Sequence, residues 1–109
     1  MGADGFVIYY GVRYLLSDEE EVRMVQDSSH ARLQAAARVG LQYWWGLTPE
    51  KNIFLLIGTQ IGNLGQEGAS HRQIEDEQLF AILRTTQVKL AEAEIEQVPA
   101  LHAQFEPHS

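Results

Sequence analysis

Two stretches of the chain are apolar on both faces of an extended strand, the pattern of a central strand in a sheet. The first covers residues 6–16 and is rich in Val, Ile and Tyr, which suit a pleated surface. The second, residues 53–57, is a run of five apolar residues after Pro49 and is too short for a helix. We predict two central strands, and Gly11 in the first indicates a bulge or the close approach of another backbone.

The second strand leads into a glycine-rich stretch over residues 58–68. Its glycines predict a bulge, a turn or a loop, and they are Gly58, Gly62, Gly65 and Gly68. Their spacing matches neither the dinucleotide fingerprint nor the Walker pattern, and no Lys follows the last of them. This favours a bulge followed by a loop over a phosphate-binding site.

Helical patterns occupy three other parts of the chain. Ser17-Asp-Glu-Glu resembles a capping box and predicts a short helix over residues 18–26. A longer helix is predicted over residues 29–45, with Gly46 just past its end. Its apolar stripe is Leu33, Ala36, Ala37, Gly40, Leu41 and Trp44. A last helix is predicted from residue 75 or 76 to about residue 93.

After Pro99 the pattern alternates with a period of two. Leu101, Ala103 and Phe105 fall on one face, and His102 and Gln104 fall on the other. This predicts a last strand with one buried and one wetter face, at an edge of the sheet or half covered. Residues 70–75 are predicted to be a loop or a short returning strand.

The elements follow one another as β-α-β-α-β, with the first helical part split. We predict an α+β fold with a three- or four-stranded mixed sheet and the helices packed on one face, as in a ferredoxin-like sandwich. Right-handed crossovers in that order place both helices on the same side. A three-layer α/β/α arrangement is the alternative. We expect all 109 residues to form a single domain.

Composition narrows the possible functions. The formal net charge is −7, and the eight Lys and Arg are scattered singly, so we expect no nucleic-acid partner. The absence of Cys removes thiol catalysis and thiolate metal sites, and it fits a reducing compartment. The N-terminal pattern is neither a signal peptide nor a membrane span. We therefore expect a cytoplasmic protein.

Tyr43, Trp44 and Trp45 form an aromatic cluster at the end of the predicted second helix. Successive helical residues point about 100° apart, so the three side chains cannot all enter one core. We expect Trp44 to pack inward, which leaves Tyr43 or Trp45 near the surface. Such a side chain lines a ligand pocket or anchors an interface, because Trp and Tyr bury much area at small entropic cost.

Polar residues give weaker indications of a functional site. His71 near Glu67 and Arg72 is a possible acid or base if a pocket forms over the glycine-rich stretch, although a solvated loop histidine is favoured. Arg13 and Asn63 are further ligand or interface candidates. The sequence contains no metal-binding His spacing and no serine nucleophile motif. We therefore expect no metal, no cofactor and no catalytic residue.

Two functions remain open. The first is a non-enzymatic interaction module that forms a homodimer through an apolar sheet face and binds a protein partner. The alternative is a small-molecule-binding protein or small enzyme. Its pocket would lie between the glycine-rich loop 58–68 and the helix end at Trp44 and Trp45.

Overall fold

The computed structural model describes residues 5–48, 50, 52–65 and 70–106, and these residues form an α+β fold. The strands are β1 (Gly5–Leu16), β2 (Gln42–Leu47), β3 (Ile53–Gly65) and β4 (Ala100–Glu106). The helices are α1 (Glu19–Gln26), α2 (Ala31–Val39) and α3 (Asp76–Glu92). The strands form one sheet in the order β2-β3-β1-β4, and every adjacent pair is antiparallel. The α+β class is confirmed, whereas the mixed sheet and the β-α-β-α-β order are wrong.

Strand β2 was not predicted, because an apolar pattern with helical spacing continues into its residues. Gly40 adopts a left-handed conformation (φ 80°) and ends α2. Its N–H donates to Ala37 O, and the N–H of Leu41 donates to Ala36 O at 2.8 Å, the paired bonds of a glycine cap. The helix predicted over residues 29–45 is therefore wrong in its second half, and Gly40 rather than Gly46 follows its end. The aromatic residues beyond it suit an extended strand.

Strands β1 and β3 form the centre of the sheet, as predicted. Their pairing runs from Gly5 opposite Gly65 to Leu16 opposite Ile53, with a bulge that leaves Ile61 without a partner in the register. The glycine-rich stretch continues the strand as far as Gly65, and it contains a bulge, as predicted. Residues 66–68 of that stretch lie outside the described residues.

All three helices pack on one face of the sheet, which we call the helix face. Val25 of α1, Leu33 of α2 and Leu90 of α3 belong to the same buried cluster. The sheet contributes alternate residues to this cluster, namely Val12, Tyr14, Leu16, Ile53, Leu55 and Ile57. A three-layer arrangement is therefore ruled out for the described helices.

The opposite face, which we call the far face, carries a second apolar cluster of Val7, Tyr9, Phe54 and Leu56. Each of these side chains is at most 1% exposed in a single chain. Trp44 packs against the cluster, and the Arg13 guanidinium lies 5.9 Å from the centre of the Phe54 ring. The expectation that this sheet face exposes several large apolar side chains to water is therefore wrong for this cluster.

Strand β4 lies at the end of the sheet, as predicted, but its two faces are reversed. Leu101 and Phe105 are 63% and 38% exposed, whereas His102 and Gln104 are half-buried. The reason is that α3 packs mainly on β1 and β3, which leaves the helix face of β4 open to water. Residues 70–75 contain no strand.

Candidate functional site

The exposed edge of β2 is the first candidate site. Tyr43, Trp45 and Leu47 lie opposite Ile57, Leu55 and Ile53 of β3, so all three are on the helix face. They are 37%, 37% and 61% exposed, and we call them the β2 row. The strand contains no charged residue. Because β2 ends the sheet, its outer backbone edge has no strand partner within the described residues.

The two edges of the sheet differ in how they resist pairing with another strand. Proteins blunt edge strands with charges, prolines or bulges. Strand β4 is preceded directly by Pro99, whereas β2 contains no charge and is preceded by Leu41. The sheet bulge lies on β3 where it faces β1, away from β2. Of the two edges, β2 is the one suited to accept another strand.

The structure separates the remaining candidate residues from the β2 row. Arg13 lies on the far face opposite Leu56, and its Nε donates to Gln104 Oε1 at 2.8 Å. Asn63 is exposed near the other end of β3, opposite Val7. His71 is exposed in the irregular segment before α3. These three residues therefore form no common site with Tyr43 and Trp45.

A cleft of about 520 Å³ does involve the beginning of the glycine-rich stretch. Gly58, Thr59 and Gln60 line one side of it, and residues of α3 that include Lys89 line the other. The Lys89 ammonium donates to the Gly40 carbonyl oxygen at 3.4 Å. Neither Trp44 nor Trp45 lines this cleft, and Gln42 is the only residue of β2 that does so. The second half of the glycine-rich stretch does not line this cleft either, within the described residues.

A second cleft, of about 670 Å³, lies between α2 and the turn that follows α3. We call it the Tyr14 cleft. Ala31, Ala35 and Arg38 form one wall, because spacings of three and four residues share a helix face. Residues 93–97 form the opposite wall, and Tyr14 of β1 contributes to the lining. No local sequence pattern predicts this cleft, because its walls are far apart in the chain.

Tyr14 and Arg32 form a connected pair at this cleft. The Tyr14 hydroxyl donates to Gln97 Oε1 at 2.9 Å, and the Arg32 guanidinium lies 4.2 Å from the centre of the Tyr14 ring. Burial raises the pKa of Tyr14 above its usual value, and the opposing charge of Arg32 does not cancel this effect. The phenol is therefore neutral at physiological pH and acts as a hydrogen-bond donor.

The described residues offer neither a metal site nor a membrane span. Their His, Asp and Glu side chains form no group of three of the kind that holds a metal ion. None of their helices is long and apolar enough to cross a bilayer. Comparison of the chain with models of protein families, with curated proteins and with solved structures finds no match. A function is therefore inferred from the geometry of the two candidate sites.

Proposed function

We propose that the protein is a homodimeric interaction module in which β2 of one protomer pairs antiparallel with β2 of a second copy. The observation that carries this proposal is the β2 row on an uncharged edge strand. An exposed edge with apolar side chains is a template for another strand. Tyr and Trp are also the side chains most enriched among residues that dominate binding energy.

The residues of β2 are complementary to their own copy in one register. When Trp45 faces Trp45 of the second copy across a two-fold axis, Tyr43 faces Leu47 on the same side of the sheet. On the other side, Trp44 then faces Gly46, so a large side chain meets a position without one. No like charges meet in this register, because β2 has none. The result is a continuous eight-stranded sheet.

The expected affinity of one protomer for the other is moderate. Tyr43 and Trp45 are each only 37% exposed, so the β2 row gives less apolar area than a fully exposed patch would. Stable, specific interfaces usually bury about 800 Å² per partner. Strand β2 has six residues, so the contact is at the small end of this range. We expect a dissociation constant in the micromolar range, about −8 kcal/mol at 1 μM.

We also propose that the fold is a ferredoxin-like sandwich, which is compatible with this dimer. In support of it, helices follow β1 and β3, and β2 and β3 are directly consecutive. The strand order β2-β3-β1-β4 leaves β2 at one edge.

Sedimentation velocity over a dilution series tests this proposal. We expect the weight-average sedimentation coefficient to rise from a monomer to a dimer value across roughly 0.1–100 μM protein. Tryptophan emission should shift to the blue over the same range, because Trp45 passes from water into the interface. A single monomeric species at every concentration would contradict the proposal.

A further inference from the structure

The Tyr14 cleft carries charges of opposite sign on its two walls. Arg32 and Arg38 stand on the α2 wall, and Glu94 and Glu96 stand on the facing wall. Within the described residues, no nitrogen of these arginines comes within 4.0 Å of either facing carboxylate. Arg32 pairs with Glu21 instead, at 3.9 Å. The cleft therefore keeps its opposite charges apart.

Two hydrogen-bond donors in this cleft are unused among the described residues. Gln97 accepts from Tyr14 through Oε1, which orients its amide and leaves the Nε2 donors available. The Arg38 guanidinium has neither an ion pair nor a hydrogen bond within the described residues. The space between the charges is lined by small or apolar side chains, namely Ala31, Ala35, Ala93 and Ile95.

We propose that the Tyr14 cleft binds a small zwitterion of the amino-acid type. Its carboxylate is held by Arg38 and the Gln97 amide, and its ammonium by Glu94 and Glu96. A guanidinium matches the planar carboxylate with two parallel hydrogen bonds. A multiply charged anion such as a phosphate fits less well, because two carboxylates face the arginines and the net charge is −7.

The backbone at Glu94 adds to this picture. Glu94 follows the end of α3 in a left-handed conformation (φ 60°), where glycine is the common residue. The conformation is fixed by hydrogen bonds from Glu94 N to Ala91 O at 3.0 Å and from Ile95 N to Leu90 O at 3.0 Å. This backbone conformation does not require Glu, since glycine is the common residue there. The chain nevertheless places a carboxylate at this position of the cleft.

Two-dimensional NMR of the ¹⁵N-labelled full chain tests the proposal with L-leucine as the probe. We expect saturable shifts of the amide signals of residues 31–38 and 93–97. N-acetyl-L-leucine lacks the ammonium and L-leucinamide lacks the carboxylate, so each should bind at least tenfold more weakly. Tenfold corresponds to about 1.4 kcal/mol. The absence of saturation with L-leucine up to about 10 mM, or equal binding of all three compounds, would overturn the proposal.

Three variants locate the site. Arg38→Gln and Glu94→Gly should each weaken L-leucine binding at least tenfold, and glycine suits the left-handed backbone of residue 94. Arg84→Gln is the matched control, because Arg84 is an exposed arginine of α3 outside the cleft. It should bind like the parent chain. Well-dispersed spectra establish that each variant is folded, and unchanged binding by Arg38→Gln would overturn the assignment. The cleft does not include the β2 row, so the result is independent of dimerisation.

Discussion

Gly58→Ala is expected to destabilise the protein severely. Gly58 of β3 lies directly opposite Gly11 of β1. A Cβ atom added at Gly58 would lie 2.1 Å from the Tyr10 carbonyl oxygen and 2.7 Å from Gly11 Cα. Both atoms belong to the backbone, so the two central strands must separate to make room. Overpacking of this kind costs about 1–3 kcal/mol or more. This is a large part of the free energy of unfolding of a typical domain, which is about 5–15 kcal/mol.

Gly62→Ala is the matched control for this prediction. Gly62 also lies on β3, but an added Cβ there would first meet Arg72 Cγ, at 3.4 Å. This distance is an ordinary van der Waals contact, so the Arg72 side chain can keep the hydrogen bond that its Nε donates to Ile61 O at 3.0 Å. We expect a change within about 1 kcal/mol. Urea denaturation of both variants measures the difference, and equal losses would show that the strands do not approach closely at Gly58.

Trp45→Glu is expected to abolish the dimer. In the proposed register the substitution places two carboxylates opposite each other at the two-fold axis, and it removes two aromatic side chains. Loss of a central aromatic residue commonly costs 2 kcal/mol or more, so we expect the dissociation constant to rise by at least about 30-fold. The variant should sediment as a monomer throughout the range in which the parent chain associates.

Leu101→Glu is the control for Trp45→Glu. Leu101 is an exposed apolar residue of the opposite edge strand, β4, at 63% exposure. The same charge placed there should leave the dissociation constant within about twofold of the parent value, because surface substitutions away from an interface are usually within 0.5 kcal/mol. Dissociation of the dimer by Leu101→Glu alone would move the interface from β2 to β4.

The central part of the fold was predictable because its signals are local and agree with one another. Residues 6–16 and 53–57 read as strands buried on both faces, and they are β1 and the first part of β3. The prediction that Gly11 marks a close backbone approach is confirmed by its contact with Gly58. The helices α1 and α3 were also found, because acidic first turns and capping residues mark their starts.

Strand β2 was missed because an apolar stripe with helical spacing continued through it by chance. Leu33, Gly40 and Trp44 fit one helical face, although Gly40 is the residue that ends the helix. Glycine followed by a run of aromatic residues is the signal that predicts a strand there. That error changed the expected environment of Tyr43 and Trp45 from a helix end to a sheet edge.

The candidate sites were less predictable than the fold because they depend on contacts between distant residues. An exposed aromatic side chain at Tyr43 or Trp45 was expected from the geometry of a helix, and both are partly exposed although they lie on a strand. Arg13, Asn63 and His71 lie away from Tyr43 and Trp45 in the structure. The sequence does not show which face or end of the sheet such distant residues share. The Tyr14 cleft joins β1, α2 and the residues after α3, and no local pattern connects these three.

Disulfide trapping at position 45 tests the central claim most directly. The chain has no cysteine, so Trp45→Cys introduces a single thiol. Residues directly opposite on antiparallel strands have Cβ atoms about 4.5–5.5 Å apart, within reach of a disulfide after a small adjustment. Tyr43→Cys is the matched control, because its two copies are offset by four residues, about 13 Å along the strand.

Under mild oxidation at micromolar protein, we expect Trp45→Cys to form a covalent dimer on a non-reducing gel, while Tyr43→Cys stays monomeric. Mixing Tyr43→Cys with Leu47→Cys should restore cross-linking, because these two positions face each other in the proposed register. Equal cross-linking of all single variants, or none at position 45, would contradict pairing of β2 with its own copy.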